Sequence, residues 1–121
     1  MLSKKIDFAI IIGVKNANPN GDPLNGNRPR VNYDGLGEIS DVCLKRKIRN
    51  RLLDAGAKIL VQSDDYRNDQ YRSIKDRYDS NENITALGKK ASSDDAAEAA
   101  CKEWFDVRAF GQVLAFKGKN E

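Results

Sequence analysis

All three prolines of this 121-residue chain fall within one short stretch, Asn16–Val31, which also holds five asparagines and two glycines. Proline fixes φ and lacks a backbone N–H, while asparagine and glycine favour turns. The stretch therefore excludes a regular helix or an internal strand and predicts a long loop over residues 16–39. Any core must come from the segments on either side of this loop.

The segment before the loop, Lys5–Val14, is rich in β-branched and aromatic residues that alternate along the chain. It predicts a β-strand, and the unbroken apolar run Phe8–Ile12 indicates a central strand buried on both faces. This run is far shorter than the roughly 20 residues of a membrane span. No small-residue cleavage site follows it, so we expect neither a membrane partner nor an export signal.

Histidine is absent from the chain. This absence excludes Ser-His and Cys-His nucleophile pairs and the commonest zinc ligand. Cys43 and Cys101 are the only cysteines and have no partner at metal-like spacing, as expected for free thiols in a cytoplasmic protein. Enzymes that use only carboxylates or lysine remain possible on this ground. We predict no metal site and no cofactor.

The positive charge of the chain is concentrated in one segment. The formal net charge is +3, and five of the eight residues in Leu44–Arg51 are cationic while none is acidic. A helix is predicted from an N-cap at Ser40 or Asp41 to about Asp54, with Gly56 ending it. Such a cationic helix is typical of a polyanion-binding surface, although a simply solvated helix face has the same composition.

The helical wheel places Leu44, Ile48, Leu52 and Ala55 on one side of this helix. Lys45, Arg46 and Arg49 project from the flank and the opposite side. Lys47 and Arg51 lie nearer the apolar side, and we expect their stems to cover the edge of the core.

The remaining pattern predicts an α+β fold. A second strand is predicted over Ala57–Gln62, and a last strand over Val107–Phe116. Residues 63–91 are predicted to form an insertion with one helical stretch. A helix capped by Ser92 or Ser93 is predicted over Asp94–Trp104. This order suggests helices packed on one face of an open sheet, of the ferredoxin-like type, in a single domain over residues 1–121.

Three patterns in a fixed order carry a family resemblance. They are NxNPNGDP in Asn16–Pro23, a Ser-Asp pair followed by KRKIR in Ser40–Arg49, and DVRxFG in Asp106–Gly111. Together they resemble the RNA-coating backbone subunit of type I CRISPR effector complexes, closest to the type I-C subtype. The resemblance implies an RRM-like palm with inserted finger and loop elements, of which this chain looks like an N-terminal portion.

The resemblance also implies a function. Copies of such a subunit polymerise head to tail along a CRISPR guide RNA, contact its phosphates, and present the spacer for pairing with target DNA in antiviral defence. The implied partners are the guide RNA, other copies of the chain, other subunits of the effector complex, and target DNA through the guide. Subunits of this type do not cut nucleic acid.

The candidate RNA-binding residues offer a donor, a cation or an open backbone and lie in the three patterns or in the loop between the first two. They are Asn18, Asn20, Arg28, Arg30, Ser40, Lys45, Arg46, Arg49, Phe110 and Gly111. Cations on a rigid helix suit phosphates, and the loop asparagines with Gly21 could either present backbone N–H groups or only form a turn. Phe110 and Gly111 could admit RNA closely or belong to the core.

Two other functions remain open at this stage. One is a generic RRM-type module for single-stranded RNA, although the first strand offers only Phe8 for stacking. The alternation of Tyr66, Tyr71 and Tyr78 with arginines fits a single-strand surface or three half-buried rings equally well. The other is a metal-dependent ribonuclease using Asp22, which an Asx turn in the NGDP segment explains without chemistry.

Overall fold

The computed structural model describes residues 4–88 and 90–114. The chain divides into two units, Met1–Cys43 and Leu44–Glu121. Within the described residues the elements are β1 (Gly21–Asp22), β2 (Arg28–Pro29), α1 (Asp41–Asp54), α2 (Ile74–Asp79), α3 (Glu82–Thr85), α4 (Ser93–Glu103) and α5 (Phe105–Phe110).

The first unit is built around the long proline-rich loop, as predicted. β1 and β2 pair antiparallel, with Gly21 opposite Pro29 and Asp22 opposite Arg28. A 3₁₀ turn, Pro23–Asn25, joins them. A Cβ on Gly21 would lie 1.9 Å from the side-chain Oδ1 of Asn27, so any other residue at this position would displace the Asn27 side chain.

The predicted strand Lys5–Val14 is wrong in this structure. The segment has no regular secondary structure, and its large apolar side chains are exposed, from 47% for Ile12 to 98% for Ile11. A β-strand requires a hydrogen-bonded neighbour for its backbone. Within the described residues the only sheet is the pair β1–β2, so this segment has no strand to pair with.

Helix α1 has the predicted bounds. The Ser40 hydroxyl accepts a hydrogen bond from the Cys43 backbone N–H at 3.2 Å, and Gly56 follows the helix with φ +82°. The predicted inward face is only partly right, because Leu44, Ile48 and Leu52 are half-buried. The buried residue is Leu53, which is 7% exposed and lies on the side that also carries Arg46 and Arg49.

The second predicted strand, Ala57–Gln62, is an irregular segment instead. Its apolar residues are nevertheless core residues, since Ile59 is 1% exposed and Leu60 is fully buried. Leu60 packs with Ala100, Trp104 and Val107. The apolar run therefore predicted correctly that this segment is buried, but the strand conformation predicted for it is wrong.

Two aromatic rings stack in this core, one from the insertion and one from the residue that follows α4. The rings of Tyr78 and Trp104 stack with their centres 5.9 Å apart, and burial raises the pKa of the Tyr78 phenol. The insertion at residues 63–91 was predicted to hold one helical stretch and holds two short helices, α2 and α3.

Helix α4 is confirmed close to its predicted bounds, and the element after it differs. Residues Phe105–Phe110 form α5 where a strand over Val107–Phe116 was predicted; residues 115 and 116 lie outside the described part of the chain. The Phe105 N–H donates to the Lys58 carbonyl at 2.9 Å, so the chain turns at Trp104 and restarts as a helix. This tertiary bond overrides the β-type composition of the segment.

The described residues form a small α+β structure of one two-stranded ladder and five helices. The ferredoxin-like or RRM-like palm stays a prediction. Among the helices of these residues, none combines the length and apolar character needed to cross a membrane.

The cap of α4 gives a stability prediction. The Ser92 hydroxyl accepts from the Asp95 N–H at 3.1 Å, and the Asp95 carboxylate accepts from the Ser92 N–H at 3.1 Å, forming a reciprocal capping box. Ser92→Ala removes half of this box and should lower the free energy of unfolding by about 1 kcal/mol in urea denaturation. Ser93→Ala, one residue later, is the matched control and should change it by less than about half as much.

Candidate nucleic-acid interface

One buried carboxylate organises the second unit. The side chain of Asp106, in α5, is fully buried. Its Oδ1 accepts from the Leu60 N–H at 2.8 Å, and its Oδ2 accepts from the Val61 N–H at 3.0 Å and from Nε of Arg49 at 3.0 Å. A single side chain therefore ties together α1, the irregular segment 57–62 and α5.

Two of the predicted phosphate-binding cations point into this arrangement. Arg49 is paired with Asp106, and its side chain is only 11% exposed. Arg46 donates from Nη1 to the Val61 carbonyl at 2.8 Å. Burial, followed by repulsion from Arg49, lowers the pKa of Arg46. Both side chains thus hold α1 against its neighbours by internal bonds.

Phe110 lies beneath two of the cations. Its half-buried ring is 5.0 Å from the Arg49 guanidinium carbon and 5.5 Å from Nζ of Lys45, both within cation–π range. Gly111 ends α5 with φ +73°, a conformation that favours glycine, and no atom lies within 4 Å of where its Cβ would be. The structure thus brings Lys45, Arg49, Phe110 and Gly111 to one end of α5.

The remaining cations of α1 face solvent. Lys47 and Arg51 are exposed, and in the part of the chain that the structure describes neither side chain makes a hydrogen bond or an ion pair. The expectation that these two side chains cover the edge of the core is therefore wrong. The helical wheel predicted the wrong inward face, because the buried residue of α1 is Leu53 rather than Leu52.

In the first unit, the predicted loop residues act mainly on the loop itself. Asn20 accepts the Ser40 N–H on its Oδ1 at 2.9 Å, and its carbonyl accepts the Arg30 N–H at 2.8 Å. Asn18 donates from Nδ2 to the Asn27 carbonyl at 2.8 Å. These bonds support the turn-forming interpretation and set the position of the Ser40 cap.

The two loop arginines differ in their surroundings. Nε of Arg30 donates to the Glu38 carboxylate at 2.9 Å, and this bond raises the pKa of Arg30. Arg28 lies in β2 with an exposed side chain. Its guanidinium is therefore presented to solvent at the edge of the β1–β2 ladder.

Asp22 is used structurally. Its Oδ1 accepts the Leu24 N–H at 3.0 Å and caps the 3₁₀ turn, as the Asx-turn interpretation predicts. Residues 4–88 and 90–114 contain no group of three or more histidine, cysteine, aspartate or glutamate side chains that could hold a metal ion.

Sequence reasoning missed a second buried arginine. Arg77 is 6% exposed and donates to both carboxylate oxygens of Asp69, at 2.6 and 2.9 Å, and to the carbonyls of Leu60 and Tyr71, each at 2.8 Å. In the predicted tyrosine–arginine alternation, this arginine and Tyr78 therefore belong to the interior rather than to a binding surface. No local pattern signals such a role, because every partner is supplied by the fold.

The comparisons with known proteins bear on this arrangement. The family model described as "CRISPR-associated protein Cas7" matches residues 4–121. The chain belongs to the Cas7 family. A curated relative from Haloferax volcanii, "CRISPR-associated protein Cas7", is 35% identical over 120 residues, which cover 95% of this chain and 34% of that protein. The chain thus spans about a third of the length of this relative.

Membership of the Cas7 family confirms the coarser part of the sequence resemblance, which is to a CRISPR-associated protein of this family. The matched range contains all three patterns that carried the resemblance. It also contains Asp106 and Arg49, so the buried ion pair of this Cas7-family chain joins two of those patterns.

Removing the buried carboxylate should destabilise the chain strongly. Asp106→Asn leaves Arg49 without its counter-charge and should lower the free energy of unfolding by about 3–5 kcal/mol, measured by urea denaturation. Asp94→Asn, an exposed acid in the first turn of α4, should cost less than about 1 kcal/mol. The double variant Arg49→Met with Asp106→Asn should recover part of this loss. If its change in the free energy of unfolding equals the sum of the changes in the two single variants, the two residues are not coupled.

The Asp69–Arg77 pair gives a pH dependence. Hydrogen bonding to Arg77 lowers the pKa of Asp69 below its ordinary 3.8, so the carboxylate stabilises the fold above that value and loses this contribution as pH falls through the lowered pKa. Asp69→Asn should therefore be less stable at neutral pH and lose less stability on acidification. Some acid sensitivity should persist, because Lys58 likewise lowers the pKa of Glu103. Identical pH profiles for the two proteins would contradict this account.

Proposed function

We propose that this chain is the guide-RNA-coating part of a backbone subunit of a type I CRISPR effector complex, closest to the type I-C subtype. It binds the phosphates of the guide, and copies polymerise head to tail to present the spacer to target DNA. The observation that carries the proposal is the cationic helix α1 in a chain of the Cas7 family.

Helix α1 suits a phosphate-binding role because it is held rigidly. Ser40 caps its first turn, and the Arg49–Asp106 ion pair anchors its middle. Cations on a rigid element lose little conformational freedom when they bind, and contacts to phosphate need no sequence discrimination. The guide can then be read by base pairing while the protein recognises its backbone.

The proposed RNA contacts fall into two groups, one in each unit. In the second unit Lys45 and Phe110 lie together, with Gly111 leaving open space beside them. In the first unit Arg28 is exposed. Asn18, Asn20, Arg30 and Ser40 support the loop through internal bonds, and in this proposal they contribute mainly by shaping it.

We further propose that the fold is an RRM-like palm and that the exposed apolar segment Lys5–Val14 is a contact surface for another subunit. The exposure of its apolar side chains supports this proposal, because a contiguous apolar segment left in water marks an interaction surface. The other proposed partners are further copies of the chain and other subunits of the effector complex.

The alternatives have less support. A generic RRM-type module would bind single-stranded RNA as well, and RNA binding alone does not separate it from the main proposal. A ribonuclease using Asp22 would need a carboxylate available to a metal, and one oxygen of Asp22 already accepts a backbone hydrogen bond. We therefore propose a binding subunit rather than an enzyme.

The proposal predicts RNA binding that depends on salt but not on sequence. Two fluorescent single-stranded RNAs of equal length and unrelated sequence should bind the chain with similar affinity in anisotropy titrations. The affinity for both should fall steeply and in parallel as salt rises, because bound phosphates release counterions. Strong preference for one RNA, or affinity insensitive to salt, would contradict the proposal.

Assembly separates the main proposal from the generic module. Light scattering after size-exclusion chromatography should show several copies on an RNA of guide length and fewer on a shorter one. A single copy on every length of RNA would favour the generic module instead.

A further inference from the structure

We propose that a cleft in the second unit binds a short peptide segment of a protein partner, one that carries a lysine or an arginine. The cleft has a volume of about 420 Å³, and Trp104 lines it together with the charged residues Lys58, Asp69, Arg77, Glu82 and Glu103. Ligand-binding sites have volumes of about 300–1,000 Å³, so this cleft has the size of one. None of the proposed RNA contacts lines it, and the site is therefore independent of the proposed RNA binding.

Trp104 supplies the cleft with a hydrogen-bond donor that has no partner. Its ring is 4% exposed and stacks on Tyr78, but among the described residues no atom accepts a hydrogen bond from its indole N–H. The nitrogen is not enclosed, since the only fully enclosed side-chain nitrogen or oxygen without a partner in these residues is Oδ1 of Asn50. A buried tryptophan N–H usually has a partner. The donor is therefore available to an acceptor in the cleft, such as the carbonyl oxygen of a peptide.

The charges that line the cleft leave one acid uncompensated. Nζ of Lys58 donates to Oε1 of Glu103 at 2.8 Å, and Arg77 donates to both carboxylate oxygens of Asp69. Each cation is thus neutralised by an acid of the same cleft. Glu82 is exposed and makes no ion pair within the described residues. A ligand therefore meets a net negative charge, which attracts a lysine or arginine side chain and repels the phosphates of RNA.

Two neutral polar side chains of the cleft suit a peptide backbone. Asn68 and Ser80 line the cleft and are exposed, and in the described part of the chain neither side chain makes a hydrogen bond. An amide and a hydroxyl both donate and accept, as pairing with the N–H and C=O groups of a peptide requires. A peptide with one cationic side chain therefore matches the indole donor, these two side chains and Glu82.

Glu103 has a different role, because it holds the wall of the cleft together. Its Oε2 accepts a hydrogen bond from Nδ2 of Asn83 at 2.8 Å, while its Oε1 accepts from Lys58. These bonds, that of Lys58 first, lower the pKa of Glu103. Both of its oxygens are occupied, so Glu82 is the acid that remains for a cationic ligand.

The test uses the indole N–H directly, because Trp104 is the single tryptophan of the chain and gives one indole signal in proton–nitrogen correlation NMR. The tripeptide acetyl-Ala-Lys-Ala-amide, titrated into the complete 121-residue chain, should move this signal downfield and saturably as the N–H acquires an acceptor. Acetyl-Ala-Glu-Ala-amide should bind more weakly, because its charge is opposite. No saturable downfield shift at millimolar lysine peptide, or equal binding of the two peptides, would overturn the proposal.

A pair of variants tests the role of Glu82. Glu82→Gln should weaken binding of the lysine peptide about two- to fivefold, the range expected for one exposed ion pair. Glu98→Gln is the matched control, since Glu98 is an exposed acid of α4 that does not line the cleft, and it should leave the affinity unchanged. The backbone amide signals of both variants should stay dispersed, because each substitution lies on the surface. Equal losses in the two variants would show a net-charge effect and overturn the assignment to the cleft.

A third ligand separates a peptide site from an RNA site. A short oligouridine, added at low salt, should leave the indole signal of Trp104 in place. If the oligouridine moves this signal and the lysine peptide does not, the cleft is an RNA site and the proposal is wrong. Failure of the peptide to bind would not affect the proposed function, which the salt-dependent RNA titrations test separately.

Discussion

The carboxylate of Asp106 is the interaction on which the second unit depends. It accepts three hydrogen bonds inside the protein, from Arg49 and from the backbone of Leu60 and Val61. Segment 57–62 has no sheet to satisfy its backbone, so a buried acid takes over that role for two of its N–H groups. Through Arg49, the same acid also ties α1 to this segment and to α5.

This arrangement divides the cations of α1 into two sets with different physical roles. Arg46 and Arg49 are desolvated and hydrogen-bonded, and they act as structural side chains. Lys47 and Arg51 remain in water, where a polyanion can reach them. A helix can thus hold five cations in eight residues and still pack, because the long stems bury while only some of the charges stay exposed.

The sequence predicted the structure correctly where residues close together in the chain determine it. The loop over residues 16–39, the bounds of α1 and the cap of α4 follow from proline, glycine and capping serines, which act within a few residues. The strands predicted over Lys5–Val14 and Ala57–Gln62 do not form in the structure. Their composition favours β-structure, but a strand exists only when a neighbour supplies hydrogen bonds, and composition carries no information about that neighbour.

The candidate interface divides in the same way. By itself the sequence determined that a cationic helix follows a proline-rich loop, and its three patterns were enough to indicate the family. Only the tertiary structure decided which cations face inward, because that depends on where Asp106 and Leu53 lie across the fold. A residue's charge is local, but its availability to RNA depends on burial and on partners distant in the chain.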